Sequence, residues 1–264
     1  MGLTIRDERT VSATTRIEVV TEAILTNRLL ANPELPGVGA VIFDEFHERS
    51  LDADLGLGMA VESRSLLRPD LAIVVMSATI DAAPVATLLL HAPVIAVPGR
   101  TFPVETFHHE RPERRRWAES VAALTRRAIA EREGDALVFA PGRAEVSRVA
   151  GALAGCGAEV IGLHGGTSSD EQRRVLKGGT GRRVIVATAI AETSITVPGV
   201  TIVVDGGLAR RPVFDPMSGL GALETVFVPK FGADQRRGRA GRVEAGVCHR
   251  LWSKEDERHL DDAF

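Results

Sequence analysis

The sequence has little cysteine and no long apolar run. Cys156 and Cys248 are its only cysteines, they lie far apart, and neither belongs to a C-x-x-C pair. A disulfide framework and a zinc site are therefore not indicated, and a reducing compartment fits best. The first residues lack the apolar core of a signal peptide, and no stretch reaches the length of a membrane span. We expect a cytoplasmic protein with no membrane partner.

Lysine and net positive charge are also scarce. The formal net charge is −3, so composition gives no sign of a general affinity for nucleic acid. Binding to phosphate would depend on where the arginines lie. Lys177, Lys230 and Lys254 are the only lysines, and they precede Gly, Phe and Glu. The phosphate-binding Walker A loop, G-x-x-x-x-G-K-[ST], is therefore absent from these residues.

The 264 residues, 44% of them hydrophobic, suffice for one large or two ordinary α/β domains. Short apolar runs alternate with stretches of helical periodicity, which predicts parallel sheets, whereas residues 1–15 show no clear period. A stretch rich in proline and charge, 98–116, separates two such patterns, and we place the domain boundary near residue 110. Strands are predicted at 16–20, 40–43, 71–76, 93–97, 136–140, 160–163, 184–187, 200–204 and 247–252, and a hairpin within 208–228.

Two adjacent carboxylates follow the apolar strand that ends at Phe43. Asp44 and Glu45 would lie at the carboxyl end of that strand, where open α/β sheets bind ligands. One carboxylate could hold Mg²⁺ while the other polarises a water, which is the arrangement of a Walker B site. By itself the pattern is equally compatible with a solvated acidic turn that caps the next helix. His47 does not form H-E-x-x-H with Glu45, so a zinc protease is excluded.

Four arginines and two glycines are concentrated between Gln235 and Arg242, in the sequence QRRGRAGR. Arg239 and Arg242 are three residues apart and on a helix would share one face. Glycines beside them would admit close approach to an anion, and guanidinium groups match phosphate oxygens bidentately. The pattern favours a phosphate-binding segment over a merely solvated basic helix.

These segments, taken in order with Ser77-Ala78-Thr79 and the stretch 187–194 (ATAIAETS), resemble the DEAH-box helicases of superfamily 2. The surrounding sequence looks most like the bacterial HrpB type, notably in VVTEAILTNRLL, DEFHERSLDADLGLGMA and ETSITVPGVTIVVDGGLARRPVFDPMSGL. The resemblance covers nearly the whole chain.

The resemblance implies an α/β fold of two RecA-like parallel-sheet domains, the first incomplete at its N-terminus. Residues 1–110 would be the partial first lobe with motifs Ib, II and III. Residues 111–252 would be the second lobe with motifs IV, V and VI and a protruding hairpin that separates strands. Residues 253–264 would begin a truncated following domain. The family carries its Walker A loop upstream of motif Ib, so we expect an internal piece of a longer helicase.

The resemblance also assigns roles to single residues. Asp44 would hold Mg²⁺ and Glu45 would be the base for the attacking water, while the second lobe would supply Gln235, Arg239 and Arg242 to the ATP phosphates. Motor coupling is implied for His47, Ser77 and Thr79, and contact with single-stranded RNA or DNA for Thr21, Thr188 and Thr193.

Two functions remain open at this point. The chain is part of an ATP-dependent RNA or DNA helicase motor, or it is a non-catalytic remnant that binds nucleic acid or a partner protein. The retained Glu45, Arg239 and Arg242 favour the first, and the absent Walker A loop favours the second.

Overall fold

The computed structural model describes residues 1–6, 8–48, 50–77, 82–97, 102–179, 181–192, 197–215, 217 and 219–262. The chain divides into two compact units, Met1–Val97 and Pro98–Phe264. No helix within the described ranges is long and apolar enough to span a membrane.

The first unit contains two small sheets and three helices. A strand β1 pairs antiparallel with β2 and parallel with β3, and β4 pairs parallel with β5. Strands β1 and β2 thus lie in residues 1–15, where the sequence predicted no element. They were missed because both are short and every residue of β2 is exposed. The elements are β1 Gly2–Ile5, β2 Glu8–Thr10, β3 Glu18–Val20, α1 Glu22–Ala31, β4 Ala40–Phe43, α2 Leu51–Leu66, β5 Ala72–Val75 and α3 Ala82–Leu88.

The core of the first unit lies on one side of β4 and β5. Val41 and Phe43 are buried against Leu29 of α1 and Leu57 of α2, whereas Ile42 between them is exposed. The strand before Asp44 therefore buries alternate residues within this unit, and it is not the fully buried strand that its apolar run predicts. The strand predicted at 93–97 is wrong, since these residues form no regular element and Val94, Ile95 and Val97 are exposed.

The second unit is built on six parallel strands in the order β6-β13-β10-β7-β9-β8. Every residue of β7, β9, β10 and β13 is buried, as expected for a parallel sheet covered on both faces. The expected α/β class with parallel sheets is confirmed. The elements are β6 Val104–His108, α4 Trp117–Glu131, β7 Asp135–Phe139, α5 Arg143–Ala152, β8 Glu159–Leu163, α6 Ser169–Lys177, β9 Arg183–Ala187, β10 Val200–Asp205, β11 Leu208–Asp215, β12 Leu220–Phe227, α7 Lys230–Gly238, β13 Gly246–Arg250 and α8 Lys254–Arg258.

The two faces of this sheet carry separate cores. Val138 of β7 packs with Val121 of α4 and Val149 of α5, while its neighbour Leu137 packs on the other face with Val175 of α6. Strands β11 and β12 leave the sheet as a regular antiparallel hairpin, in register from Leu208 opposite Phe227 to Asp215 opposite Leu220.

The division between the units differs from the boundary expected near residue 110. Strand β6 belongs to the second unit because it pairs with β13, from Val104 opposite Gly246 to His108 opposite Arg250. Residues after β13 also pack on this unit, since Asp261 O accepts from the Lys230 N–H at 2.8 Å. The segment expected to begin a further domain therefore lies against α7.

Candidate nucleotide and nucleic-acid site

The carboxylate pair lies at the end of β4, where backbone bonds join β4 to β5. Met76 N–H donates to Phe43 O and Phe46 N–H donates to Met76 O, so the turn between them is fixed at both sides. The rings of Phe43 and Phe46 meet edge to face with centroids 6.2 Å apart. Asp44 and Glu45, between these two anchors, are both exposed. The buried phenylalanines therefore hold two carboxylates at the surface.

His47 lies close to the second carboxylate. Its side chain is 3% exposed, and Nε2 is 3.2 Å from Oε2 of Glu45, whose side chain is 48% exposed. Asp44 is oriented by the turn itself, because its Oδ1 accepts from the Glu45 N–H at 2.9 Å. The turn thus holds Asp44, and Glu45 lies beside a buried imidazole.

Glu45 has a left-handed backbone conformation, with φ of +50°. Such a φ costs an L residue about 1 to 2 kcal/mol relative to the right-handed region, and strain of this kind concentrates at functional sites. A glycine would adopt this backbone without strain.

We expect Glu45→Gly to stabilise the first unit by up to about 1 kcal/mol, because the left-handed strain it removes outweighs the contact with His47 that it loses. Hydrogen exchange of the α1 and α2 amides would measure the change. Glu62→Gly is the matched control: Glu62 is exposed in the interior of α2, where glycine costs about 1 kcal/mol. A loss at both positions would show that the turn is not strained.

The donor set suits Mg²⁺ that is shared with phosphate oxygens. Mg²⁺ is usually bound by one or two carboxylates together with waters and substrate phosphates, so a full cage of protein ligands is not needed. Asp44 offers one exposed carboxylate of this kind. No group of three His, Cys, Asp or Glu side chains with metal-site geometry occurs in the described part of the chain. Asp44 fits the expected magnesium ligand.

The hydroxyl residues expected to serve coupling and nucleic-acid contact lie at the ends of elements. Thr21 is the N-cap residue of α1, yet its side chain makes no capping bond, so the helix does not use its hydroxyl. Thr188 follows β9 and is half-buried, and Ser77 is exposed just beyond β5. Thr79 and Thr193 lie outside the described residues.

The arginine motif begins on α7 and continues beyond its end. Helix α7 ends at Gly238, and a 3₁₀ turn covers Arg239–Gly241. Arg239 is buried and donates to Glu192 O, whereas Arg242 is exposed and Gln235 is half-buried. The two arginines therefore do not share one helical face.

The two glycines of the motif differ as well. A Cβ at Gly241 would lie 2.6 Å from Phe102 O and 2.7 Å from Cγ2 of Val104, whereas a Cβ at Gly238 would meet nothing within 4 Å. Gly241 is therefore explained by its packing against the chain that enters β6, and approach of an anion is not needed to explain it.

Arg236 was not singled out by the sequence, yet it is the centre of the motif in the structure. It is 1% exposed, with Nε 2.9 Å from Glu192 Oε2 and Nη1 2.9 Å from Asp205 Oδ1. Burial alone would lower the pKa of this guanidinium, but Asp205 and Glu192 raise it. Burial also raises the pKa of Glu192 above its usual range, against the effect of Arg236. No sequence signal separates Arg236 from its neighbouring arginines, because its carboxylate partners lie far along the chain.

Comparisons with known proteins agree with these features. Residues 119–244 match the family described as helicase conserved C-terminal domain. The chain is 42% identical over 260 residues to ATP-dependent RNA helicase HrpB of Escherichia coli K12, covering 97% of this chain and 32% of that protein. It is 35% identical over 268 residues to ATP-dependent RNA helicase HrpA of the same organism, covering 97% of this chain and 20% of that protein.

The backbone matches as closely as the sequence. The crystal structure of the Escherichia coli DEAH/RHA helicase HrpB superimposes with a TM-score of 0.94 at 40% identity, covering 100% of this chain and 34% of that one. Likeness in sequence and backbone over the full chain identifies its family as that of the DEAH-box helicases. The chain belongs to this family and is of the HrpB type. It spans about a third of the length of HrpB.

Proposed function

We propose that this chain is part of an RNA helicase motor that couples ATP hydrolysis to strand separation. The observation that carries the proposal is the exposed Asp44–Glu45 pair, on a fixed turn at the carboxyl end of β4 and close to His47. The relatives support RNA over DNA, since HrpB and HrpA are both named ATP-dependent RNA helicases.

In this proposal the first unit supplies the water-activating chemistry. Asp44 binds the Mg²⁺ that accompanies the ATP phosphates, and Glu45 accepts a proton from the attacking water. His47 keeps the Glu45 carboxylate in place through the 3.2 Å contact. Because phosphoryl transfer is catalysed by positioning and charge neutralisation, a carboxylate held on a strained, fixed turn suits the role of base.

The second unit supplies positive charge. Arg242 is exposed, so a phosphate can approach its side chain. Arg239 acts from a buried position, where its bond to Glu192 O holds the guanidinium, and Gln235 helps to orient the water. Guanidinium groups stabilise the charge that develops on the transferred phosphoryl group.

Nucleic acid is held through its backbone, without reading of sequence. Thr21, Thr188 and Thr193 contact phosphates, and Ser77 and Thr79 link that contact to the nucleotide. The β11–β12 hairpin acts as the wedge, and the exposed Phe214 and Met217 near its turn are suited to contact bases.

The second candidate is a non-catalytic remnant that binds nucleic acid or a partner protein. It is favoured by one observation, the absence of G-x-x-x-x-G-K-[ST] from these 264 residues. Sequencing the DNA immediately upstream separates the two candidates: an in-frame Walker A loop supports the motor, and its absence supports the remnant.

We expect the 264 residues alone to hydrolyse ATP no faster than their Glu45→Gln variant, with or without single-stranded RNA, because none of the three lysines lies in a Walker A loop. Release of phosphate from purified chain is the measurement. Turnover that Glu45→Gln abolishes would mean that another loop of this chain holds the phosphates.

A further inference from the structure

The second unit contains a cavity that none of the proposed motor roles uses. It has a volume of about 660 Å³, within the range of small-molecule sites. Its walls come from the segment after β6, the base of the β11–β12 hairpin and the residues after β13.

Aromatic side chains form much of the wall. Trp117, Trp252 and Phe227 all line the cavity. Trp117 Nε1 donates to Gly206 O at 2.8 Å. Trp252 is 1% exposed, yet its Nε1 has no hydrogen-bond partner in the described part of the chain. A buried indole N–H without a partner costs free energy unless a ligand or water accepts from it.

Arginine side chains bring positive charge to the wall. Arg111, Arg114 and Arg211 line the cavity, and the Arg111 guanidinium lies 3.7 Å from the centroid of the Phe227 ring. The Nε of Arg211 is a second buried donor with no partner among the described residues. Tryptophan and arginine only donate, so a ligand that satisfies both must bring acceptor oxygens.

The charges of the wall are partly paired. Its three arginines lie with two aspartates, Asp256 and Asp261, and Arg211 is also paired with Glu224. Asp256 already accepts from the N–H and hydroxyl of Ser253 and lies 3.6 Å from Arg111. These Ser253 bonds lower the pKa of Asp256, so the carboxylate stays charged and continues to neutralise Arg111. Arg211 donates from Nη2 to Glu224 Oε2 at 3.1 Å, which leaves its Nε without a partner among the described residues, and Arg114 is exposed at the cavity.

We propose that this cavity binds one nucleotide unit, with the base against the aromatic wall and the phosphate between Arg114 and Arg211. Aromatic and guanidinium planes accept any base by stacking, and phosphate oxygens satisfy donor-only side chains. The unit comes from a single-stranded RNA or from a free nucleoside monophosphate, which share this chemistry. The inference goes beyond ATP hydrolysis and does not depend on it.

Tryptophan fluorescence tests the proposal in the chain as it stands. The sequence has two tryptophans and no tyrosine, and both tryptophans line the cavity, so the emission reports on this site. Titration with uridine monophosphate and with a short single-stranded oligouridylate should each give a saturable change. The oligonucleotide should bind more tightly because neighbouring phosphates add electrostatic attraction.

Two pairs of variants separate the cavity from general basic charge. Arg211→Met should weaken binding about tenfold through loss of charged hydrogen bonds. Its neighbour Arg210 faces Glu145 at 3.7 Å, and Arg210→Met should leave affinity within about twofold. Arg114→Met should likewise weaken binding, whereas Arg115→Met should not, since Arg115 is 93% exposed outside the cavity. Equal urea midpoints would show that all four variants fold.

The proposal is overturned by any of three results. The first is no fluorescence change with either ligand, and the second is a change that Arg211→Met and Arg114→Met leave unaltered. The third is saturable binding of an acidic aromatic peptide in place of nucleotides, which would make the cavity a peptide site. RNA binding that leaves the fluorescence unchanged would overturn the cavity assignment and leave the proposed motor function intact.

Discussion

Replacing Arg236 by Ala is expected to lower the free energy of unfolding of the second unit by about 3 to 5 kcal/mol. The guanidinium is the partner of two carboxylates, Asp205, which is fully buried, and Glu192, whose side chain is 17% exposed. Without it Asp205 would remain in the interior without its ion pair, and Glu192 would keep only the attraction of Arg239. Urea unfolding followed by tryptophan fluorescence measures the loss, because Trp117 and Trp252 are the only tryptophans and both lie in this unit.

The neighbouring arginine provides the control. Arg237 has a side chain 43% exposed and lies 3.6 Å from Asp234, so Arg237→Ala should change stability by no more than about 1 kcal/mol. A double variant, Arg236→Met with Glu192→Gln, should recover part of the loss because it leaves one buried charge fewer. Similar small costs for Arg236→Ala and Arg237→Ala would contradict the buried network.

The cost of Arg236→Ala should depend on pH, and its sign follows from Glu192. Burial raises the pKa of Glu192 above its ordinary value of 4.5. Below that value Glu192 is protonated in the folded and unfolded states alike, and it does not lower the free energy of unfolding of the variant. As pH rises, the unfolded chain ionises first, so the folded state loses relative stability. The difference between wild type and Arg236→Ala should therefore be larger at pH 8 than at pH 5.

The sequence predicted the parts of the fold that depend on local pattern. Strands β7, β9 and β10 are continuous apolar runs because both faces are covered, and they were predicted within one or two residues. Strand β6, with the sequence VETFH, was missed because its burial alternates and its partner β13 lies far along the chain. That pairing also explains why the division between units precedes the expected residue 110.

In the candidate site, too, only the features that depend on local sequence were predictable. The sequence correctly predicted that Asp44 and Glu45 follow the end of β4, because the end of an apolar run is a local property of the sequence. The left-handed φ of Glu45 and the buried position of Arg236 were not predictable, because each depends on groups distant in sequence. Glu192 lies 44 positions from Arg236, and only the folded sheet brings them together.

Glu192 joins two segments that we propose to serve different ligands. Its carboxylate holds Arg236, and its main-chain oxygen accepts from Arg239. It directly precedes Thr193, which we propose to contact nucleic acid. If RNA binding shifts the segment that contains Thr193, the shift would move Glu192 and thereby Arg239, which we propose to face ATP. One residue, Glu192, would then couple the two ligands directly.

In a chain extended upstream through an in-frame Walker A loop, Glu45→Gln is expected to lower RNA-stimulated ATP hydrolysis by about 10² to 10⁴ fold. Glutamine keeps the size of the side chain and can still meet His47, but it cannot take a proton from water. ATP binding should change little, so the loss should appear in kcat and not in KM. Glu62→Gln, an exposed change on α2 of the same unit, should leave the rate unaltered. Full activity of Glu45→Gln would remove this carboxylate from the mechanism and leave Asp44 as a metal ligand only.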